Sequence, residues 1–193
     1  MRYAKHHKSE TRRDIVETAS RRFREEGVDT VGIASLMADI GLTAGGFYAH
    51  FESKEALVAE ACNDGLAITI AQLREYVNYH PPGQRLSALA DAYLSPRHRD
   101  APGYGCVIAA NGAEIARRPP ETRALFASQL NEWIALIGEI LQEDGLSANP
   151  ASIVSAMTGS MILARSVDDP VLSASFLESG LRAVQACIAT NQT

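Results

Sequence analysis

The chain has 193 residues, 46% of them hydrophobic and 21% charged, with a net charge of −5, which places it in the ordinary soluble class with enough apolar material for one or two compact units. No stretch reaches the ~18 apolar residues of a membrane span, and the basic N-terminus is not followed by an apolar signal core, so a cytoplasmic protein without membrane contact is expected. Cys62, Cys106 and Cys187 lie far apart with no C-x-x-C spacing, so neither a zinc site nor a disulfide framework is implied and reduced thiols are expected; no metal or cofactor is called for.

The charge is unevenly placed. Residues 1 to 24 hold eight Lys or Arg against three acids, a net of +5, and leave −10 for the remaining 169. A basic end and an acidic body suit a polyanionic partner on one side only. Residues 1 to 8, MRYAKHHK, have no apolar period and read as a mobile basic arm able to brush a phosphate backbone or minor groove. His6 and His7 lack partner ligands for a metal.

From Ser9, a possible cap, Ile15, Val16, Ala19 and Phe23 recur at helical spacing until Gly27 stops the helix. The next helix opens near Gly32, carries Leu36, Met37 and Ile40 on one stripe, and ends at Gly41 in a left-handed turn. Thr43 can cap a second short helix, which completes a helix-turn-helix. Phe47 and Phe51 share its inner face, while Tyr48, His50 and the following Lys54 have polar tips free to point outward. Tyr48 could instead be a half-buried core residue, and His50 and Lys54 ordinary surface residues.

The run from Leu36 to Leu57 resembles the DNA-binding motif of the TetR family of bacterial transcriptional regulators: a glycine-broken turn, then Tyr-x-His-Phe, then a lysine opening a long helix. The matching residues are Gly41, Tyr48, His50, Phe51, Lys54 and Leu57, and the likeness covers roughly residues 10 to 60. It implies an all-α protein, with a three-helix helix-turn-helix DNA-binding domain at 9–56 and a larger helical ligand-binding and dimerisation domain at 57–193. It assigns Thr43, Tyr48, His50 and Lys54 to DNA phosphate and puts Ala44, Gly45, Gly46 and Ala49 nearest the base edges. Those four small side chains cannot make bidentate contacts to guanine or adenine, which leaves close backbone approach, thymine-methyl contact and DNA shape as sources of specificity.

Further along, Ser53 should cap a helix of about 26 residues, or ~40 Å at ~1.5 Å per residue, ending near Tyr79 before Pro81-Pro82-Gly83. Gln84 to Leu94 form a shorter amphipathic helix with Leu86, Leu89, Ala90 and Tyr93 inward. The stretch SPRHRDAPG reads as a loop, and Gly105-Cys106 begins a helix to Arg118. Pro119-Pro120 starts the next, with Phe126, Leu130, Trp133, Ile134, Ile137 and Leu141 apolar until Gly145. Asn149-Pro150 opens a helix to about Asp168, with Ala156, Gly159, Ser160 and Ala164 small enough for close helix approach. Pro170 opens the last one.

In the family resembled, the last two helices of each subunit form the homodimer, a double-stranded palindromic operator is the partner, and an unknown small-molecule inducer releases a repressor from it. Tyr93, Cys106, Asn111, Glu114, Trp133, Met157 and Arg165 are polar, polarisable or aromatic within apolar registers and are the candidates to line an inducer pocket, each with core packing as the alternative. Cys106 starts a helix, where the dipole lowers a thiol pKa, so an electrophile- or oxidant-sensing repressor competes with reversible ligand binding. A helical enzyme that contains a helix-turn-helix is opposed by the lack of any H-E-x-x-H, nucleophile elbow or phosphate loop. A protein-binding adaptor would lack the salt-dependent duplex binding of a regulator.

Overall fold

A computed structural model describes residues 2–189, with side chains from 8 to 188. Among these residues there are ten α-helices, one 3₁₀ turn and no strand. The first helix, α1, spans Arg2–Glu26 and buries Ile15, Val16, Ala19 and Phe23. It begins well before Ser9, because no proline or glycine interrupts the chain ahead of Gly27; residues 2–8 of the expected arm continue the helix backbone, and Met1 and the side chains of His6 and His7 lie outside the described residues. Gly27 closes it with φ +88°, and its N–H donates to Phe23 O at 3.0 Å.

Helix α2 (Ile33–Asp39) follows Gly32, which offers no side-chain cap. It ends in a Schellman motif: Gly41 N–H reaches Ala38 O at 3.0 Å and Leu42 N–H reaches Met37 O at 2.8 Å, with Gly41 at φ +73°. That left-handed residue turns the chain toward α3 (Ala44–Phe47). Ser53 then caps α4 (Lys54–Asn78), accepting from Ala56 N–H at 3.1 Å. The helix has 25 residues, ~38 Å at ~1.5 Å per residue, and its buried stripe is Leu57, Val58, Ala61, Cys62, Leu66, Ile70 and Val77.

Helix α5 (Arg85–Tyr93) starts against Asp144, whose carboxylate accepts from Gly83 N–H at 2.6 Å and Leu86 N–H at 2.9 Å. The segment expected to be a loop instead folds into α6 (Pro96–Asp100) and a 3₁₀ turn at Pro102–Tyr104. Ser95 is the reason: its hydroxyl accepts from His98 N–H at 3.2 Å while Pro96 occupies the first helical position. Helix α7 (Val107–Ile115) ends three residues short of Arg118, in tight turns from Arg117 N–H to Glu114 O and Arg118 N–H to Ile115 O.

Helix α8 (Pro120–Glu143) buries Trp133, Leu136, Ile137, Ile140 and Leu141, with Phe126, Leu130 and Ile134 partly covered. Asn149 caps α9 (Pro150–Arg165) through Ala151 N–H at 2.9 Å, and α9 stops at Arg165 rather than near Asp168. Asp169 starts α10 (Pro170–Ala189), accepting from Val171 N–H at 2.8 Å. Helices α9 and α10 pack along each other, α8 lies on both α4 and α9, and α1 crosses α4. Of the small residues on α9, Ser160 meets Gly180 of α10 and Ala164 accepts from Ser173 there, whereas Gly159 faces open space.

Gly65 of α4 faces α1 and α7 without room for a side chain: an added Cβ would stand 2.2 Å from Ser20 Oγ and 3.1 Å from Val107 Cγ2. Gly65→Ala should therefore destabilise the fold by about 1–3 kcal/mol through overpacking. The Ser20 hydroxyl is buried with no partner, so adding Ser20→Ala should recover most of that loss; urea unfolding of the single and double variants is the check.

Candidate nucleic-acid interface

The helix-turn-helix is assembled on an aromatic core. Phe47 and Phe51 are buried and stacked at 5.5 Å between centroids, and Tyr48 meets Phe47 edge-on at 5.3 Å. Tyr48 is nonetheless 66% exposed; it stands on the core rather than in it. Helix α3 has only four residues, but the winding continues through His50 N–H to Phe47 O at 2.9 Å and Phe51 N–H to Phe47 O at 3.0 Å. Thr43 has the backbone geometry of an N-cap but its hydroxyl makes no cap hydrogen bond, so the cap role expected of it is not filled.

Thr43, Ala44, Gly45, Tyr48 and Ala49 are exposed and lie on one continuous stretch, with Gly46 half-buried over Met37. Gly45 has no atom within 4 Å of where a Cβ would sit, and Gly46 would meet only ordinary contacts at 3.7 Å or more. Neither has a positive φ. Lys54 Nζ reaches Asp29 O at 3.5 Å. His50 is half-buried, its Nδ1 has no partner, and its pKa is lowered by burial first and then by Lys8 and Arg12; it is neutral at ordinary pH.

The basic character of the first 24 residues is partly consumed within the protein. Arg12 pairs with Glu60, Arg21 with Glu25 at 2.8 Å, and Arg22 with both Glu26 at 2.7 Å and Asp39 at 3.0 Å. Arg24 turns inward to Ser20 O and Gly105 O at 3.0 and 2.9 Å. Net charge counted along the sequence does not register these pairings.

The seven candidates for an inducer pocket separate into two groups. Asn111 and Glu114 face the end of α1: Asn111 Nδ2 donates to Phe23 O at 2.7 Å, and both Glu114 oxygens accept from Val28 N–H at 3.1 Å. Beside them Arg118 pairs with Asp29 and lies 3.6 Å from Glu55, which in turn accepts from Thr122 Oγ1 at 2.6 Å. Spacing alone could not identify this joint, since its partners are up to 89 residues apart.

The other group is a buried polar cluster. Tyr93 is stacked with Trp133 at 6.2 Å, meets the His98 ring at 4.6 Å, and its hydroxyl lies 3.4 Å from Thr158 Oγ1. Burial, with the nearby Cys106 thiol, raises the Tyr93 pKa well above the ordinary tyrosine range. His98 Nδ1 donates to Tyr93 O at 2.6 Å and Nε2 accepts from Cys106 N–H at 2.9 Å; this fixes the neutral tautomer, and burial lowers the pKa. Arg165 donates to His98 O at 2.6 Å and Arg99 O at 3.1 Å. Met157 is fully buried, and Trp133 Nε1 is buried with no partner. Cys62, by contrast, is pushed up to about 12 by burial and Glu114, which makes it a poor nucleophile.

Apart from Arg165, these residues border neither of two grooves in the surface. An open groove of about 620 Å³ runs between the end of α4, the start of α5 and the end of α10, past Tyr76, His80, Asp91 and Gln185. A second, of about 400 Å³, lies between α6 and the α9–α10 turn, and of the seven candidates only Arg165 borders it. Among the described residues no helix is long and apolar enough to cross a membrane.

Residues 15–61 match the family described as bacterial regulatory proteins, tetR family, and residues 82–170 match the tetracyclin repressor-like C-terminal domain. An uncharacterized HTH-type transcriptional regulator of Bacillus subtilis strain 168, YerO, is 30% identical over 66 residues, a match covering 34% of this chain and 23% of that relative's length. The reduced form of NemR from E. coli superimposes with a TM-score of 0.79 at 21% identity, covering 95% of this chain and 100% of the other. AibR, solved in complex with isovaleryl coenzyme A and operator DNA, gives a TM-score of 0.65 at 20% identity over 89% of this chain and 96% of its own. At these identities the likeness to the solved structures is one of fold.

The two depressed histidines set a pH dependence. Both are neutral in the folded chain and protonate more readily when unfolded, so their contribution to stability is complete above the ordinary histidine pKa of 6.5 and is lost as pH falls through and below it. Urea unfolding should show lower stability at pH 5.5 than at pH 7.5, and His98→Gln should shrink that difference.

Proposed function

This chain belongs to the tetR family of bacterial regulatory proteins, and on that basis we propose that it is a repressor that binds a palindromic operator as a homodimer and is released by a small-molecule inducer. Residues 9–56 form the reading head and residues 57–193 the ligand-binding and dimerisation part, with α4 shared as the rod between them. Tyr48, Thr43, His50 and Lys54 take phosphate positions, and Ala44, Gly45, Gly46 and Ala49 approach the base edges.

The observation that carries this reading is the pair Gly45-Gly46. A glycine inside a helix costs about 0.5–1 kcal/mol relative to alanine, and neither conformation nor crowding within the chain calls for one at either position. What the bare backbone leaves free is room on the outside, where a groove wall can come close. The exposed apolar side chains of α9 and α10, Ile162 and Leu163 together with Leu172 and the 79% exposed Val171, supply a face for the second subunit, consistent with a four-helix dimer contact.

For the inducer, the buried cluster around Tyr93, Trp133, Met157 and Arg165 is the favoured place, since the orphaned Trp133 N–H is a donor that a ligand acceptor could satisfy. Asn111 and Glu114 we assign to the joint with the reading head instead. A second reading, sensing through the Cys106 thiol, is supported by the polar groups set beside it: Arg24 holds the neighbouring Gly105 carbonyl at 2.9 Å and His98 Nε2 accepts from the Cys106 N–H at 2.9 Å.

Gly45→Ala should raise the stability of the free protein by about 0.5–1 kcal/mol while weakening duplex binding, a divergence that a core substitution would not produce; thermal unfolding and a duplex titration on the same samples measure both. Titration against fragments from the protein's own upstream region should give binding that weakens steeply with salt, and Tyr48→Ala and Lys54→Ala should each lower it by about tenfold, the loss of one contact of ~1.4 kcal/mol. Absence of salt-dependent binding to any duplex would refute the assignment. Thiol alkylation that abolishes binding in the wild type but not in Cys106→Ser would select the thiol mechanism over the reversible ligand.

A further inference from the structure

Arg12 lies in the basic N-terminal stretch, yet its guanidinium is directed along the protein surface into a clamp. Its central carbon sits 4.0 Å above the Phe51 ring centroid. Nε donates to Glu60 Oε1 at 3.1 Å, Nη2 pairs with Glu60 Oε2, and Nη1 donates to the His50 carbonyl. That carbonyl ends the winding that begins at Ala44; by Ser53, at φ −155° and ψ 164°, the backbone is extended. The guanidinium supplies the donor that a continuing helix would have offered.

A phosphate drawn to Arg12 would have to approach the Glu60 carboxylate that already neutralises it. We infer that Arg12 is a positioning residue for DNA recognition: it fastens the exit of the reading turn to the first turns of α4, fixes where Tyr48 and His50 stand, and does not itself hold a phosphate. This rests on the DNA-binding reading above. Arginine suits the role because its planar fork can stack on one ring while bonding a carboxylate and a carbonyl together, which a lysine ammonium cannot do.

The test is a salt series of duplex titrations with the full-length protein, using an upstream fragment bound by wild type and a non-operator duplex, for Arg12→Lys, Arg12→Ala and Glu60→Ala. Both arginine variants should bind the operator fragment about tenfold more weakly at every salt concentration, with the wild-type slope of log affinity against log salt and wild-type affinity for the non-operator duplex. Glu60→Ala removes a negative charge and should still weaken operator binding. The inference is overturned if Arg12→Lys keeps wild-type affinity while Arg12→Ala lowers the slope by ~0.9 per lost contact, or if Glu60→Ala tightens binding. It is overturned too if operator and non-operator affinity fall together with the unfolding temperature. Wild-type protein that binds no duplex would defeat the DNA-binding reading before any variant is compared.

Discussion

The end of α1 is held by side chains that belong to α7. Glu114 takes the Val28 N–H, which the left-handed Gly27 has just released from the helix, and Asn111 donates to the last-turn carbonyl of Phe23 while bonding Glu114 at 3.0 Å. Hydrogen bonds to a charged acceptor contribute about 1.5–3 kcal/mol each, and leaving such groups buried and unmet costs a comparable amount. The first thirty residues are thereby tied to the remainder through polar atoms with defined directions as well as through apolar contact. Arg118 extends the tie to Asp29 and Glu55. A regulator whose two halves communicate needs a joint with discrete arrangements, and a network of directed bonds provides that better than a smooth apolar face.

Much of the fold was legible because its punctuation is local. Gly41 adopts the left-handed turn its position suggested, Gly27 and Gly145 end helices where they were read to, each at positive φ, and Gly83 lies in the break read at Pro81-Pro82-Gly83; Ser53 and Asn149 cap the helices that follow them. The misread segments have local causes of a subtler kind. Ser95-Pro96 is a helix start of the same chemistry as Asn149-Pro150, but five residues of charge and proline looked like a loop. Asp144 lies 58 residues from the amide of Leu86 that it caps, and no periodicity announces such a partner.

The site shows the same division. The stacked Phe47 and Phe51 and the outward Tyr48 followed from a four-residue spacing and a polar tip. What the spacing could not supply was the fate of each charge. Arg12, Arg21, Arg22 and Arg24 were counted as part of a basic face, yet each has a partner within the chain. The pocket candidates show a related point: a polar residue in an apolar register marks a buried polar group without naming its partner, and Asn111 and Glu114 answer to backbone atoms of α1 while Tyr93 and Arg165 answer to the segment around His98.

The element assigned to meet DNA is the least able to stand alone. Four helical residues, two of them glycine, fall far below the length at which a helix offsets its own nucleation, so α3 keeps its shape through its surroundings: the buried Phe47, the Phe47–Phe51 stack, the packing on α2 and the bonds at its ends. Its backbone amides are therefore expected to exchange with solvent more readily than those in the middle of α4. Association with a duplex would then include the ordering of a fluctuating segment. The calorimetric signature is an unfavourable entropy and a heat-capacity decrement larger than the contact area alone accounts for.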